Sequence, residues 1–281
     1  MKKQILIPTD FSSTAFNAIQ YAFEIFKETE CVFHIFHVYY IVASSKGNPM
    51  FPVPDENEYR AARESISSEM DTLRKNIATV SNNEKHQLVF EFEYGFLVDQ
   101  LNEKVENEKI DLVMMGTRGV TDDIKVAYGR NAIDVMEKVR TCPIIAIPAR
   151  VRFKPKGEIV YPTDFKGKYG AEEMRTFRNV AKISNSPIRI LHIGNENSLN
   201  SNQQENKKLL ENEFQPLDVS FHWADNISVI EGLLQFVQQR ESAMICFINR
   251  KHWFFGNIFS KPLIKCLGIH SRVPLFALHT K

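Results

Sequence analysis

Close cysteine pairs, a surplus of either charge and long apolar runs are all missing from this 281-residue chain. Its four cysteines, Cys31, Cys142, Cys246 and Cys266, are scattered, the pattern of reduced thiols rather than of a disulfide framework. Lys and Arg number 35 against 34 Asp and Glu, a formal net charge of +1. Nothing in that balance points to nucleic acid or to an anionic membrane as a partner. No apolar stretch approaches the length that spans a bilayer. Met1 to Gln4 lead straight into a short apolar strand, with no signal-type apolar region or cleavage site, so the expected location is the cytoplasm. What remains is a globular composition, 43% hydrophobic and 25% charged, in enough chain for two ordinary domains, each with its own core.

Strand and helix signals alternate through the first half. Gln4–Pro8 reads as an apolar strand, and Ser12 or Ser13 caps a helix from Thr14 to about Glu28, with Ala15, Ala18, Ile19, Ala22, Phe23 and Phe26 on one face. Cys31–Tyr39 is a β-branched and aromatic strand, and Ile41 to about Asn57 a polar surface loop with Gly47 and three prolines. A long amphipathic helix over Glu58–Val80, a strand over Leu88–Tyr94 and a helix over Val98–Glu108 follow. Leu112–Met115, Asn131–Arg140 and Ile144–Pro148 read as strand, helix and closing strand. This alternation predicts an α/β fold with a mostly parallel sheet and helices on both faces.

After a basic linker at 150–157 the pattern restarts. Ile159, Val160, Tyr161, Pro162, Thr163, Asp164 and Phe165 repeat the run from Ile5 to Phe11, His192 repeats His37, and Pro274 repeats Pro143. An internal duplication gives two domains, 1–150 and 157–281. The second copy is shorter, mainly in a polar loop at Gly194–Lys207 and across its third strand.

The first half also carries a glycine constellation after an apolar strand: Gly116 and Gly119 around Thr117 and Arg118, a nine-residue spacer, then Gly129 followed by Arg130 and Asn131. Glycines let backbone N–H groups approach an anion closely, and a helix N-terminus favours negative charge, so these are the parts of a phosphate cradle. The second half has Asn249 where the first has Gly116, and Ser260, Lys261 and Pro262 opposite Gly129, Arg130 and Asn131. Cradle chemistry is expected only in the first half.

The glycine spacing, together with the strand that ends in Pro8, Thr9 and Asp10, resembles the universal stress protein family in a tandem form, across essentially the whole chain. The resemblance implies two Rossmann-like (adenine-nucleotide alpha hydrolase-like) domains, each a five-stranded mostly parallel sheet, paired like a family dimer. It also implies an ATP site in the first domain, with backbone groups of Val38 offered to adenine. The hydroxyl residue that follows the third glycine in the family is Arg130 here, which can meet phosphate as a charged fork or alter phosphate selectivity, and Asn131 can cap the helix.

Asp10, at a strand's C-terminal end, would accept hydrogen bonds from ribose or adenine or sit near magnesium on the phosphates; otherwise it caps the next helix. Met115 packs on adenine or simply fills core. Arg118 reaches phosphate or stays solvated. His34 and His37, three apart on a strand, point to opposite faces and cannot chelate together, while Cys266 and His270, four apart on a helix, would need help from Cys246 or His252 to hold zinc. His252 to Phe255, with Ile258 and Phe259, either dock a partner or apolar ligand or plug the vacated site.

No nucleophile with its base is readable. The chain lacks GxxxxGK[ST] and the Ser-Gly-Gly-x-Asp-Ser type loop of the related ATP pyrophosphatases, so at most slow ATP hydrolysis is expected. The leading expectation is a nucleotide-binding stress-response or regulatory protein, with an adenine nucleotide as ligand, a pseudo-site in the second half and an unidentified protein partner. The alternative is a nucleotide-independent interaction protein acting through its aromatic second half. Two assemblies fit: a monomer with pseudo-dimeric halves, or a homodimer paired through closing strands such as Leu275–Leu278.

Overall fold

Apolar runs four to nine residues long, each followed by an amphipathic segment, become strands and helices in strict alternation. In a computed structural model that describes residues 2–41, 55–118, 128–167, 169–225, 227–249, 267 and 272–279, the first half contains β1 (Lys3–Pro8), α1 (Ser13–Ile25), β2 (Cys31–Tyr39), α2 (Glu56–Val80), β3 (His86–Tyr94), α3 (Leu97–Asn107), β4 (Leu112–Gly116), α4 (Arg130–Lys138) and β5 (Ile144–Ile147). The second contains β6 (Ile159–Pro162), α5 (Ala171–Ile183), β7 (Ile188–Ile193), α6 (Ser201–Phe214), β8 (Val219–Ala224), α7 (Val229–Gln239), β9 (Met244–Asn249) and β10 (Leu275–His279).

All ten strands lie in one sheet, in the order β3-β2-β1-β4-β5-β10-β9-β6-β7-β8. Each half is parallel and runs 3-2-1-4-5 by its own strand count. The seam between them is antiparallel, the one such pair among the described strands: β5 with β10, where Ala146 faces Leu275, Ile145 faces Phe276 and Ile144 faces Ala277. The closing strands therefore pair within one chain and join the two halves in one sheet.

Successive residues of the central strands enter opposite cores, as the two-residue period of a strand requires. Ile5 and Ile7 belong to one buried cluster and Leu6 to the other. Both clusters cross the seam: one joins Ile145 to Phe276 and Ile159, the other joins Ile144 to Ala277 and Ile245. Helices cover both faces, which is why the strands read as continuous apolar runs rather than alternating ones.

Several boundaries differ from those expected. The helix α2 begins two residues early because Asp55 and Glu58 form a reciprocal capping box. Strand β3 starts at His86, and α1 ends at Ile25 rather than near Glu28. The segment Gly194–Lys207 is not a loop throughout, since Asn200 and Gln203 make a second capping box and open α6 at Ser201. Residues 42–54, read as most of a polar loop, lie outside the described residues.

Ionisable groups inside this frame fix its response to acid. Burial pushes His279 down to about 4, and burial also lowers His34, His86 and His222. An unfolded histidine titrates near 6.5, so the folded chain binds fewer protons below that pH. The stabilisation is whole above about pH 6.5 and is lost as pH falls towards 4, with His279 alone contributing on the order of 3 kcal/mol. Glu158 is lowered for a different reason: hydrogen bonds from Arg240 and Arg189 hold it at about 2. Its contribution is present above about pH 4.5 and fades only as pH falls towards 2. Urea midpoints measured from pH 7.5 to pH 3 should fall in two steps, and His279→Gln should shrink the first. A flat profile between pH 6.5 and 4.5 contradicts the assignment.

Candidate functional site

In the order 3-2-1-4-5 the chain reverses direction across the sheet between β1 and β4, and a crevice opens there at the strands' C-terminal ends. Strand β1 is short on this side. Its ladder to β2 ends with Pro8 opposite Phe36, and its ladder to β4 with Leu6 opposite Val113. β1 itself ends at Pro8, while β2 continues to Tyr39 and β4 runs to Gly116. The cleft that results is lined by Pro8, Thr9, Asp10, Val38, Met115, Gly116, Arg118 and Asn131, together with Ala15, Leu97, Thr117 and Ala132.

The turn from β1 into α1 forms the floor. Thr9 Oγ1 accepts from the Phe11 N–H, Asp10 Oδ1 from the Ser12 N–H, and Ser12 Oγ from the Ala15 N–H. Ser12 is thus the helix cap and Asp10 is not. Asp10 instead closes an Asx turn with its carboxylate in the cleft lining. Phe11 pays for this tight reversal with a left-handed φ of 62°, and its ring lies 4.6 Å from that of His37. Phe165 repeats the conformation at 57° and His192 repeats the contact. The strain therefore belongs to the fold's turn, present in both halves, rather than to one site.

His37 Nδ1 lies 2.7 Å from the Thr9 carbonyl oxygen, and His192 Nδ1 lies 2.8 Å from that of Thr163. Both rings tie the second strand of a half to its turn. His34 lies elsewhere, with Nε2 2.9 Å from Gln4 Oε1. Among the described residues no group of three or more His, Cys, Asp or Glu could hold a metal ion. Cys246 is buried, while His252, Cys266 and His270 lie outside the described residues.

The opposite wall is the start of α4. Gly129 is its N-cap, Arg130 its first residue and Asn131 its second, so Asn131 lines the cleft from inside the helix rather than capping it. The Gly129 N–H donates to the Thr117 carbonyl at 2.6 Å and draws together the two ends of the glycine loop. The first helical bond runs from the Ile133 N–H to the Gly129 carbonyl, which leaves Arg130, Asn131 and Ala132 with N–H groups that have no acceptor in the helix. The other described helices have a side-chain cap or an acidic residue in the first turn; α4 has neither, and begins instead with the exposed Arg130. Dipole and guanidinium add there, and both favour an anion.

Met115 is buried beneath the cleft and also part of the core, so its two readings are compatible. Arg118 is half-buried at the rim. Gly129 and Arg130 stand beside the lining rather than in it, and Gly119 lies outside the described residues. Ala15, Leu97, Thr117 and Ala132 carried no signal in the sequence, because small and apolar residues in a wall look like any core residue. The cleft lining thus combines the apolar side chains of Val38, Leu97 and Met115 with the acidic residue Asp10 and the start of α4.

In the second half the equivalent turn is fastened from above. Gln203 Nε2 donates to the Asp164 carbonyl and Asn206 Nδ2 to that of Phe165, while the Phe165 ring is fully buried beside Trp223. Burial raises the Asp164 carboxyl. The aromatic cluster His252–Phe259, and Ser260, Lys261 and Pro262, lie outside the described residues. No described helix is long and apolar enough to cross a membrane.

The model of the universal stress protein family matches residues 1–148. A universal stress protein of Methanocaldococcus jannaschii is 26% identical over 156 residues, which span 56% of this chain and 85% of that one. The crystal structure of a universal stress protein from Archaeoglobus fulgidus superposes with a TM-score of 0.68 at 15% identity, covering 98% of each chain. A protein of unknown function from Pseudomonas aeruginosa gives a TM-score of 0.59 at 10% identity, over 99% of this chain and 92% of that one. At such identities the two structures speak to the fold alone.

Proposed function

The chain belongs to the universal stress protein family, and from that premise we propose that it is a nucleotide-binding stress-response or regulatory protein, taking ATP, with magnesium on the phosphates, between the ends of β1 and β4. The observation that carries the reading is the first turn of α4, which has no side-chain cap from its N-cap residue Gly129, opening onto the same cleft as Asp10 and Val38. Phosphate would meet the N–H groups of Arg130, Asn131 and Ala132, with Arg130 and Arg118 as cations in place of the family's hydroxyl. Ribose would meet Asp10, and adenine would lie against Val38, Leu97 and Met115.

Residues 1–150 and 157–281 would act as two domains, the first holding the nucleotide and the second a pseudo-site in which Asn249 replaces Gly116. A binding role accounts for the residues better than turnover does. Phosphoryl transfer needs a group that orients the nucleophile and ligands for the metal, and among the described residues Asp10 is the one acidic residue in the cleft lining.

The test is to denature freshly purified protein, chromatograph what it releases and titrate the emptied protein with ATP–magnesium. The expected result is up to about one adenine nucleotide per chain, with Asp10→Ala weakening ATP at least about tenfold by removing a charged hydrogen-bond acceptor. No released nucleotide and no response to titration would overturn the reading and turn attention to the aromatic second half.

A further inference from the structure

The cradle helix α4 is held at both ends by the half of the chain that has no cradle. At its start, the Tyr128 hydroxyl, buried and next in sequence to Gly129, donates across the seam to the Val273 carbonyl at 2.9 Å. At its far end, the Met136 carbonyl accepts from Asn249 Nδ2 at 2.9 Å and faces His279 Nε2 at 2.8 Å. Arg140, just past the helix, donates back to the Asn249 carbonyl at 2.6 Å. The last carbonyls of a helix have no partners of their own, and here residues of β9 and β10 supply them. These contacts follow from the seam: because β5 and β10 run antiparallel, the C-terminal end of β9 lies beside the end of α4.

Asn249 ends β9 as Gly116 ends β4. The substitution that removes the cradle glycine from the second half thus provides the side chain that caps the first half's cradle helix. We infer that the second half is a clamp that sets the position of α4, and through it the affinity of the nucleotide site, with Tyr128, Asn249 and His279 as positioning residues. This rests on the cleft taking a nucleotide. Loosening the clamp lets the N–H groups of Arg130 to Ala132 drift from the geometry an anion needs, and a ligand seated on those groups tightens the seam in return.

The test uses the full chain with Asn249→Ala and, should that variant fold poorly, Tyr128→Phe, which keeps the ring. Glu158→Gln serves as control, since it breaks an ion network remote from the seam. Two quantities are read: amide exchange at Gly129 and Ile133–Lys138 without nucleotide, and the dissociation constant for ATP–magnesium. The expected result is at least about fivefold faster exchange in that stretch and about five- to tenfold weaker ATP binding in the clamp variants, the range of ordinary site-to-site coupling, with neither change in the control. Unchanged exchange overturns the clamp whatever happens to ATP, and faster exchange with unchanged affinity overturns the coupling. If the unaltered chain binds no ATP while exchange still quickens, the nucleotide reading and the coupling fail together, and only the mechanical hold on α4 survives.

Discussion

Gly116→Val is expected to abolish nucleotide binding, weakening ATP at least about 100-fold, and to cost the fold about 1–3 kcal/mol. A Cβ at this position falls 3.0 Å from the backbone carbon, the carbonyl oxygen and Cγ2 of Thr14. That is tighter than about nine in ten real contacts of this kind, and Thr14 has little room to give. It lies in the first turn of α1, next to the Ser12 cap, and the same helix is tied to the linker by Asn17 Nδ2, which donates to the Val151 carbonyl at 2.9 Å. The branched methyls must therefore displace α1 or enter the cleft, and either movement closes the space between Asp10 and α4. Gly116→Ala should give a smaller effect in the same direction. The measurements are ATP titration at a temperature where the variant is folded, and urea unfolding for stability. Affinity retained within about twofold would mean that the nucleotide does not sit against the end of β4.

This glycine also shows how far the residues alone carry the reading. Its place after an apolar strand was legible, and so was the turn around Asp10, because Pro8 to Phe11 recur at Pro162 to Phe165 and each run ends a strand at the crevice. What the glycine is for was only half legible. Gly116 is required for the approach of α1 as well as for the cleft, and a packing distance has no sequence signature. Asn131 read as a helix cap because it is a good capping residue, yet Gly129 takes that place with no side chain to announce it. The helix α6 was missed because Ser201 to Lys208 are all polar, and only the spacing of Asn200 and Gln203 marked its start. The grip of Asn249, His279 and Tyr128 on α4 and the seam was out of reach altogether, since it depends on which way β5 and β10 run relative to each other.

That seam determines whether the two halves are one object or two, and Phe276→Ala should show which. Phe276 is fully buried on β10, opposite Ile145 of β5 on one side and Cys246 of β9 on the other. Its ring stands nearly perpendicular to that of Phe177 on α5, with centroids 6.2 Å apart. Removing such a ring leaves a cavity among neighbours fixed by two ladders, and about 3–5 kcal/mol of stability should go with it. The loss should not stay in the second half, because Phe276 belongs to a core that runs unbroken from Ile5 and Phe33 to Phe177 and Phe214. Urea unfolding followed by tryptophan fluorescence reports the second half, which holds both tryptophans, Trp223 and Trp253. Amide exchange in β2 reports the first. Both midpoints should fall together, as in a single cooperative unit. If only the tryptophan signal moves, β5 and β10 form a docking contact between two independently stable halves, and the proposed clamp on α4 loses its mechanical basis.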